Sequence, residues 1–150
     1  MTNTKTLSQS LIGYELASEA IAAGVAAARE RKVALSFVVL DAAGHLVASA
    51  RMDGAAFITI EVARGKAFAS AATGGQPGLS LGQRYNDNPM VWGNVSSLGF
   101  GAPLLPAQGA LPIFLEGQFI GVMGASGAPS EIDDAVVTCA VEAIGCTVSA

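Results

Sequence analysis

Charge is scarce in this chain. Asp, Glu, Lys and Arg make up 13% of its 150 residues, about half the share usual in a soluble domain. The net charge is −4, and the densest basic group is Arg29, Arg31 and Lys32. That balance excludes nucleic acid and anionic membrane surfaces as expected partners. Histidine occurs once, at His45. A His-rich metal site is therefore excluded, and a catalytic dyad built on imidazole would have to use His45 itself. There are two cysteines, Cys139 and Cys146. On an expected helix their spacing places them about 10.5 Å apart along the axis, too far for a disulfide. Both read as small buried residues of a reduced, cytoplasmic protein. No apolar run reaches the roughly 18 residues of a membrane span. Met1 to Thr6 is polar and does not read as a signal peptide. A phosphate loop, a Cys-x-x-Cys pair, a Gly-x-Ser-x-Gly elbow and a dinucleotide fingerprint after a strand are all missing.

Apolar residues, by contrast, reach 51%, and the mean hydropathy is +0.49. The length fits one domain over 1–150 with a real hydrophobic core. With so few charges to cover the outside, part of the apolar surface is expected to go into subunit contacts, which predicts a homo-oligomer.

The pattern along the chain predicts α-β-β-α, an irregular stretch, then β-β-α. Leu7 to Arg31 carries a helical apolar stripe through Leu11, Tyr14, Ile21, Val25 and Ala28, interrupted by Gly13 and Gly24. Val33 to Arg51 reads as a hairpin that turns at Ala43-Gly44. Its first strand is apolar throughout, as in a strand covered on both faces. A second helix is expected over Phe57 to Ala72, stopped by Gly74-Gly75-Gln76-Pro77-Gly78. Residues 75–108 are rich in Gly, Pro, Asn and Ser, yet Leu79, Tyr85, Met90, Val91, Trp92, Leu98 and Phe100 are interleaved. That apolar content predicts short helical turns and an ordered cap rather than a disordered linker. A second hairpin follows, Leu111–Leu115, a turn at Glu116-Gly117, and Gln118–Gly124. Ser130 is the expected N-cap of a last helix over Glu131 to Ile144. Two hairpins demand antiparallel pairing, so the predicted class is α+β: an antiparallel sheet flanked by N-terminal, middle and C-terminal helices.

Several of these segments, in this order, resemble one family. Asp41-Ala42-Ala43-Gly44-His45-Leu46-Val47, running on to Arg51-Met52-Asp53-Gly54-Ala55, is similar to the signature hairpin of the GlcG/HbpS-like haem-binding family. Gly65-Lys66-Ala67-Phe68 resembles its Lys-Ala-aromatic helix motif. Gly117 to Gly127 with Glu131-Ile132-Asp133-Asp134 resembles its closing hairpin, Ser-Gly turn and acidic helix start. The resemblance covers about residues 10–74 and 109–145. It implies a profilin-like fold, a homo-oligomer, and haem or tetrapyrrole binding, in some members with haem degradation. The chain departs from the pattern in the middle: Asn94 to Gln108 lacks the expected Gly-rich segment, and Tyr85 to Trp92 is unfamiliar.

The candidate chemistry centres on two basic residues. Arg51 offers a bidentate fork for a carboxylate, and Lys66 a mobile point charge. If both converge beside an apolar hollow, they hold a small anionic ligand, such as haem propionates. The bland alternative pairs Arg51 with Asp53 or Glu61 for stability alone. Tyr85 is a candidate phenolate ligand. Trp92 and Asn94, with Asn86 and Asn88, suggest an aromatic pocket wall, or ordinary loop hydrogen bonding. Gly124, Ser126 and the turn to Ser130 could offer backbone N–H groups to an anion, although the acidic residues that follow already compensate the helix dipole. His45 follows the turn glycine, a position that usually faces water, while haem iron often takes a histidine ligand. A second reading is a cofactor-independent lyase or isomerase acting on a small carboxylated metabolite. There Arg51 orients the carboxylate, and Asp53, Glu61 or Lys66 moves protons.

Overall fold

A computed structural model describes residues 5–98 and 101–150. Met1 to Thr4 and Phe100, cited above, lie outside the described residues. In chain order the elements are α1 (Tyr14–Glu30), β1 (Ser36–Asp41), β2 (Leu46–Arg51), α2 (Ile58–Ala72), α3 (Gly78–Asp87), α4 (Pro89–Val95), β3 (Ala110–Leu115), β4 (Gln118–Ser126) and α5 (Ser130–Ala143). The fold is α+β.

Each hairpin forms where its turn chemistry predicts. Gly44 takes φ +91°, and Glu116 and Gly117 take φ +51° and +79°, the left-handed pair that a tight two-residue hairpin needs. Asp41 locks the first turn, its Oδ1 accepting the N–H groups of Ala43 at 2.9 Å and His45 at 3.1 Å. The hairpins join through antiparallel β1–β4 pairing, Ser36 opposite Ser126 and Asp41 opposite Gly121. The sheet order is β2-β1-β4-β3. Pro112 lies on the edge strand β3, where a missing N–H costs no ladder bond on the open side.

β1 is buried at every position because both faces of the sheet are covered. Phe37 and Val39 face α1 and α5, in a core completed by Met123, Ile113, Val136 and Val137. Val38 and Leu40 face α2, against Ala63, Ala67 and Val122. Close approach is permitted by glycine at two contacts. A Cβ at Gly24 would meet the Phe37 ring at 2.9 Å, and one at Gly124 would meet the Ala63 carbonyl at 2.5 Å.

Two boundaries and one burial differ from expectation. The first helix starts at Tyr14, not Leu7: Gly13 is extended, and Ile12 N–H bonds the Ile120 carbonyl at 2.9 Å. A sheet-type bond thus wins over continuing the apolar stripe. Ser130 is the first residue of α5 rather than its cap, and Asp133 Oδ1 accepts Ala128 N–H instead, at 3.2 Å. Cys146 is buried as expected, but Cys139 is exposed; both thiols are free. Residues 75–108 contain the expected helical turns as α3 and α4, which pack over the sheet end through Leu81, Leu104 and Trp92. No described helix is long and apolar enough to cross a membrane.

Candidate functional site

The helix α2 carries two basic residues with opposite fates. Arg64 and Lys66 are two positions apart, about 200° around the helix. Lys66 points toward the end of the sheet and is only 5% exposed. Its Nζ donates to Asp133 Oδ2 at 3.2 Å and to the Ala125 carbonyl at 3.1 Å. A lysine so buried needs such partners to stay charged. Gly109 leaves room for it, since a Cβ there would fall 2.6 Å from Nζ. Beside this pair, Asp134 Oδ2 accepts from Gln108 at 2.9 Å, and its Oδ1 is buried without a partner. Burial pushes the Asp134 carboxyl above the ordinary aspartate range, with Gln108 and the Gly109 backbone pulling back in part. Burial also raises Asp133, against the opposing pull of Lys66.

Arg51 does not meet Lys66, contrary to the convergence expected. Its Nη1 donates to the Ala55 carbonyl at 2.9 Å, fastening the loop into α2. It lines a hollow of about 340 Å³ with Arg29, Val25, Met52 and Asp53, in which Lys66 takes no part. No ion pair to Asp53 or Glu61 forms among the described residues. Arg51 and Lys66 are at the same end of the sheet, but β1 and β4 separate them, and Lys66 is committed to the core.

The remaining candidates fall in separate places. Asp53 is exposed beside Arg51. Glu61 lines a hollow of about 210 Å³ with Val38, Leu46, Ser49, Ile60 and Arg64. Tyr85 and Trp92 share a hollow of about 340 Å³ under Leu104, Leu105 and Pro106; Asn94 is exposed on α4 and does not line it. Gly124 and Ser126 are buried in β4, whereas Gly127 to Ser130 of the turn that follows are exposed or half-buried. Ser126 lies opposite Ser36, whose Oγ is 2.7 Å from Thr59 Oγ1.

One further hollow brings chemistry together. It measures about 400 Å³ and is lined by Ala43, Gly44, His45, Leu46, Arg64, Phe68, Gly101 and Ala102. It adjoins the Glu61 hollow, the two sharing Leu46 and Arg64. Together they make a groove between β2 and α2. The His45 side chain is 80% exposed, with Nδ1 3.7 Å from Asp41 Oδ1. Asp41 Oδ1 is taken up by the backbone of the turn, which places His45 at the mouth of the hollow. Nε2 has no hydrogen-bond partner among the described residues. The groove thus has an imidazole at one end, a guanidinium midway and walls of Phe68, Leu46, Ile60 and Val38. No cluster of three or more metal-ligating side chains occurs among the described residues.

The model of the family described as "Haem degrading protein HbpS-like" matches residues 12–142. The chain belongs to the HbpS-like family. It is 33% identical to Protein GlcG of Escherichia coli (strain K12) over 118 residues, covering 77% of this chain and 81% of that one. The crystal structure of Klebsiella pneumoniae protein ORFY superposes with a TM-score of 0.82 at 25% identity, over 97% of each chain. A crystal structure of a PduOC:Heme complex superposes with a TM-score of 0.81 at 22% identity, over 93% of this chain and 99% of that one.

In this HbpS-like chain the sequence reading passed over Arg64, Asp133 and Gln108. A signal for Arg64 was present. Ile60, Arg64 and Phe68 repeat at four-residue spacing, which sets them in one stripe along α2. Lys66 falls off that stripe, on the far side. Asp133 carried no comparable signal, because an acidic residue in a first helical turn reads as a dipole partner. Its ion pair with Lys66 spans 67 residues of chain.

Proposed function

We propose that this HbpS-like protein binds haem in the groove between β2 and α2. The observation that carries this is the coincidence of His45, Arg64 and an apolar wall around one hollow. The donor set fits the group. An imidazole with a free Nε2 is a common iron ligand, and a guanidinium suits a propionate. Apolar walls suit the macrocycle. His45 would hold the iron, Arg64 a propionate, and Phe68 with Leu46 the ring. Bound haem supplies an iron centre whose reactivity follows its axial ligand and surroundings. Asp41 fixes the turn that carries His45, by accepting the backbone N–H groups of Ala43 and His45. The family description and the PduOC:Heme neighbour support the same ligand.

Titration with haem, followed at the Soret band, tests the reading. A saturable change at one haem per chain is expected; its absence sinks the proposal. Haem degradation has its own test, loss of the Soret band when reductant and oxygen are added to the loaded protein.

The lyase or isomerase reading has less support. Arg51, Asp53, Glu61 and Lys66 do not surround one hollow, and Lys66 is held in an ion pair. We further infer a homo-oligomer. Phe57 at 82% and Met90 at 78% exposure are large apolar side chains of the kind that subunit contacts cover. Size-exclusion chromatography with light scattering measures this. The two free thiols fit a reducing, cytoplasmic setting.

A further inference from the structure

We propose a second ligand site, apart from the haem groove, in the hollow under α3 and α4, and that it takes a planar aromatic carboxylate. The hollow measures about 340 Å³ and is lined by Tyr85, Trp92, Ser96, Leu104, Leu105 and Pro106. That volume is at the small end of ligand pockets, suited to one or two fused rings rather than a macrocycle.

The lining selects flat ligands. Tyr85 from α3 and Trp92 from α4 supply two ring systems, and Leu104-Leu105-Pro106 closes the opposite side with apolar surface. Aromatic ligands gain on such walls through offset or edge-to-face contacts. The charge comes from Arg84, one residue before Tyr85. Its Cζ lies 5.7 Å from the Trp92 ring centroid, a cation–π distance. No carboxylate is ion-paired to Arg84 among the described residues. An exposed guanidinium held over an indole beside an apolar hollow lacks only an anion. A ligand with a ring and a carboxylate satisfies both at once, the ring against Trp92 and the carboxylate on Arg84. Ser96 adds a hydroxyl to the lining, although it now donates to the Gly93 carbonyl at 2.8 Å.

Trp92 is the only tryptophan in the chain, so its fluorescence reports on this hollow. The full-length protein is titrated with 4-nitrobenzoate, a quencher with the required ring and charge. Its neutral counterpart, 4-nitrobenzyl alcohol, is titrated in parallel. Saturable quenching by 4-nitrobenzoate is expected, at roughly tenfold lower concentration than by the alcohol, the worth of one charge-assisted contact. Benzoate displaces it, and cyclohexanecarboxylate does not. Arg84→Gln removes the tenfold difference. Gly93 also lines the hollow, and a Cβ there meets nothing within 4 Å; Gly93→Leu puts a side chain at that wall and abolishes saturation while circular dichroism stays unchanged. Strictly linear quenching by both compounds overturns the proposal. So does an unchanged midpoint in both Arg84→Gln and Gly93→Leu. His45→Ala and Arg64→Ala leave this titration unmoved, and Gly93→Leu leaves the haem titration unmoved. Failure of one site is thereby told apart from failure of the other.

Discussion

Lys66 Nζ lies 3.2 Å from Asp133 Oδ2 with both side chains buried, tying α2 to α5 across the end of the sheet. Removing one partner strands the other charge in the core, which costs roughly 3–5 kcal/mol. Lys66→Met is therefore expected to lower the urea midpoint severely. Lys66→Met with Asp133→Leu removes both charges and is expected to recover most of the loss. Equilibrium denaturation of the four species measures this. If Lys66→Met keeps wild-type stability and loses haem instead, Lys66 belongs to the ligand site and not to the core.

Asp134 gives a pH dependence whose sign can be worked out. Its carboxyl is pushed above the ordinary value of 3.8, chiefly by burial. The native state then holds a proton that the unfolded chain has already released. Stability from this group is greatest below about pH 4 and declines as pH rises toward the native value. Asp134→Asn keeps an oxygen to accept from Gln108 and removes the titration. Its urea midpoint should change less with pH between acid and neutral than that of the wild type, and the variant should compare best at neutral pH. A variant that is weakest at neutral pH would show that the ionised carboxylate has a stabilising partner.

Gly124 tests the packing of α2 on β4. A Cβ there would meet the Ala63 carbonyl at 2.5 Å and Ala67 Cβ at 3.1 Å. These atoms are backbone and a Cβ of α2, which leave little room to yield unless the helix moves. Gly124→Ala is expected to cost about 1–3 kcal/mol, the range for overpacked cores. A neutral result in thermal denaturation would mean that α2 can lift from the sheet.

What the sequence could reveal follows the same division between local and distant causes. The two hairpins were legible because Gly44 and Glu116-Gly117 announce left-handed turns between apolar runs. The α2 and α5 limits were legible to within about a residue or two, as caps and breakers act locally. The start of α1 was not, because Ile12 is claimed by Ile120 in a strand 108 residues later. The candidate site was legible only in part. His45, Tyr85 and Trp92 stand out as residue types, but nothing local says that Lys66 meets Asp133, or that Arg51 is fastened to Ala55. A lysine in a small-residue helix reads alike whether it grips a ligand or a buried carboxylate.

The proposed haem groove yields a paired prediction. If His45 holds the iron as proposed, His45→Ala should shift the Soret band of the loaded protein, because that nitrogen ligand would be lost. Arg64→Ala should leave the band position in place and weaken binding by roughly tenfold, the worth of one charge-assisted contact. Glu61 shares Arg64's hollow, so Glu61→Gln should tighten binding by removing a repelling charge. Spectra and titration midpoints measured side by side separate ligation from charge. A His45→Ala spectrum identical to wild type would move the iron elsewhere.

Arg51 is the residue on which structural and ligand roles divide most cleanly. Its bond to the Ala55 carbonyl ties the end of β2 to the segment before α2. Loss of one such bond is worth about 0.5–1.5 kcal/mol. Arg51→Ala is expected to show that modest drop in denaturant midpoint, with the haem midpoint unchanged, because Arg51 lies outside the groove. Arg51→Lys should restore part of the loss, since the contact is a single N–H to one carbonyl that an ammonium can also make. Had Arg51 gripped an anion instead, Arg51→Ala would spare stability and weaken ligand binding. Both quantities read on the same protein sample decide between the two roles.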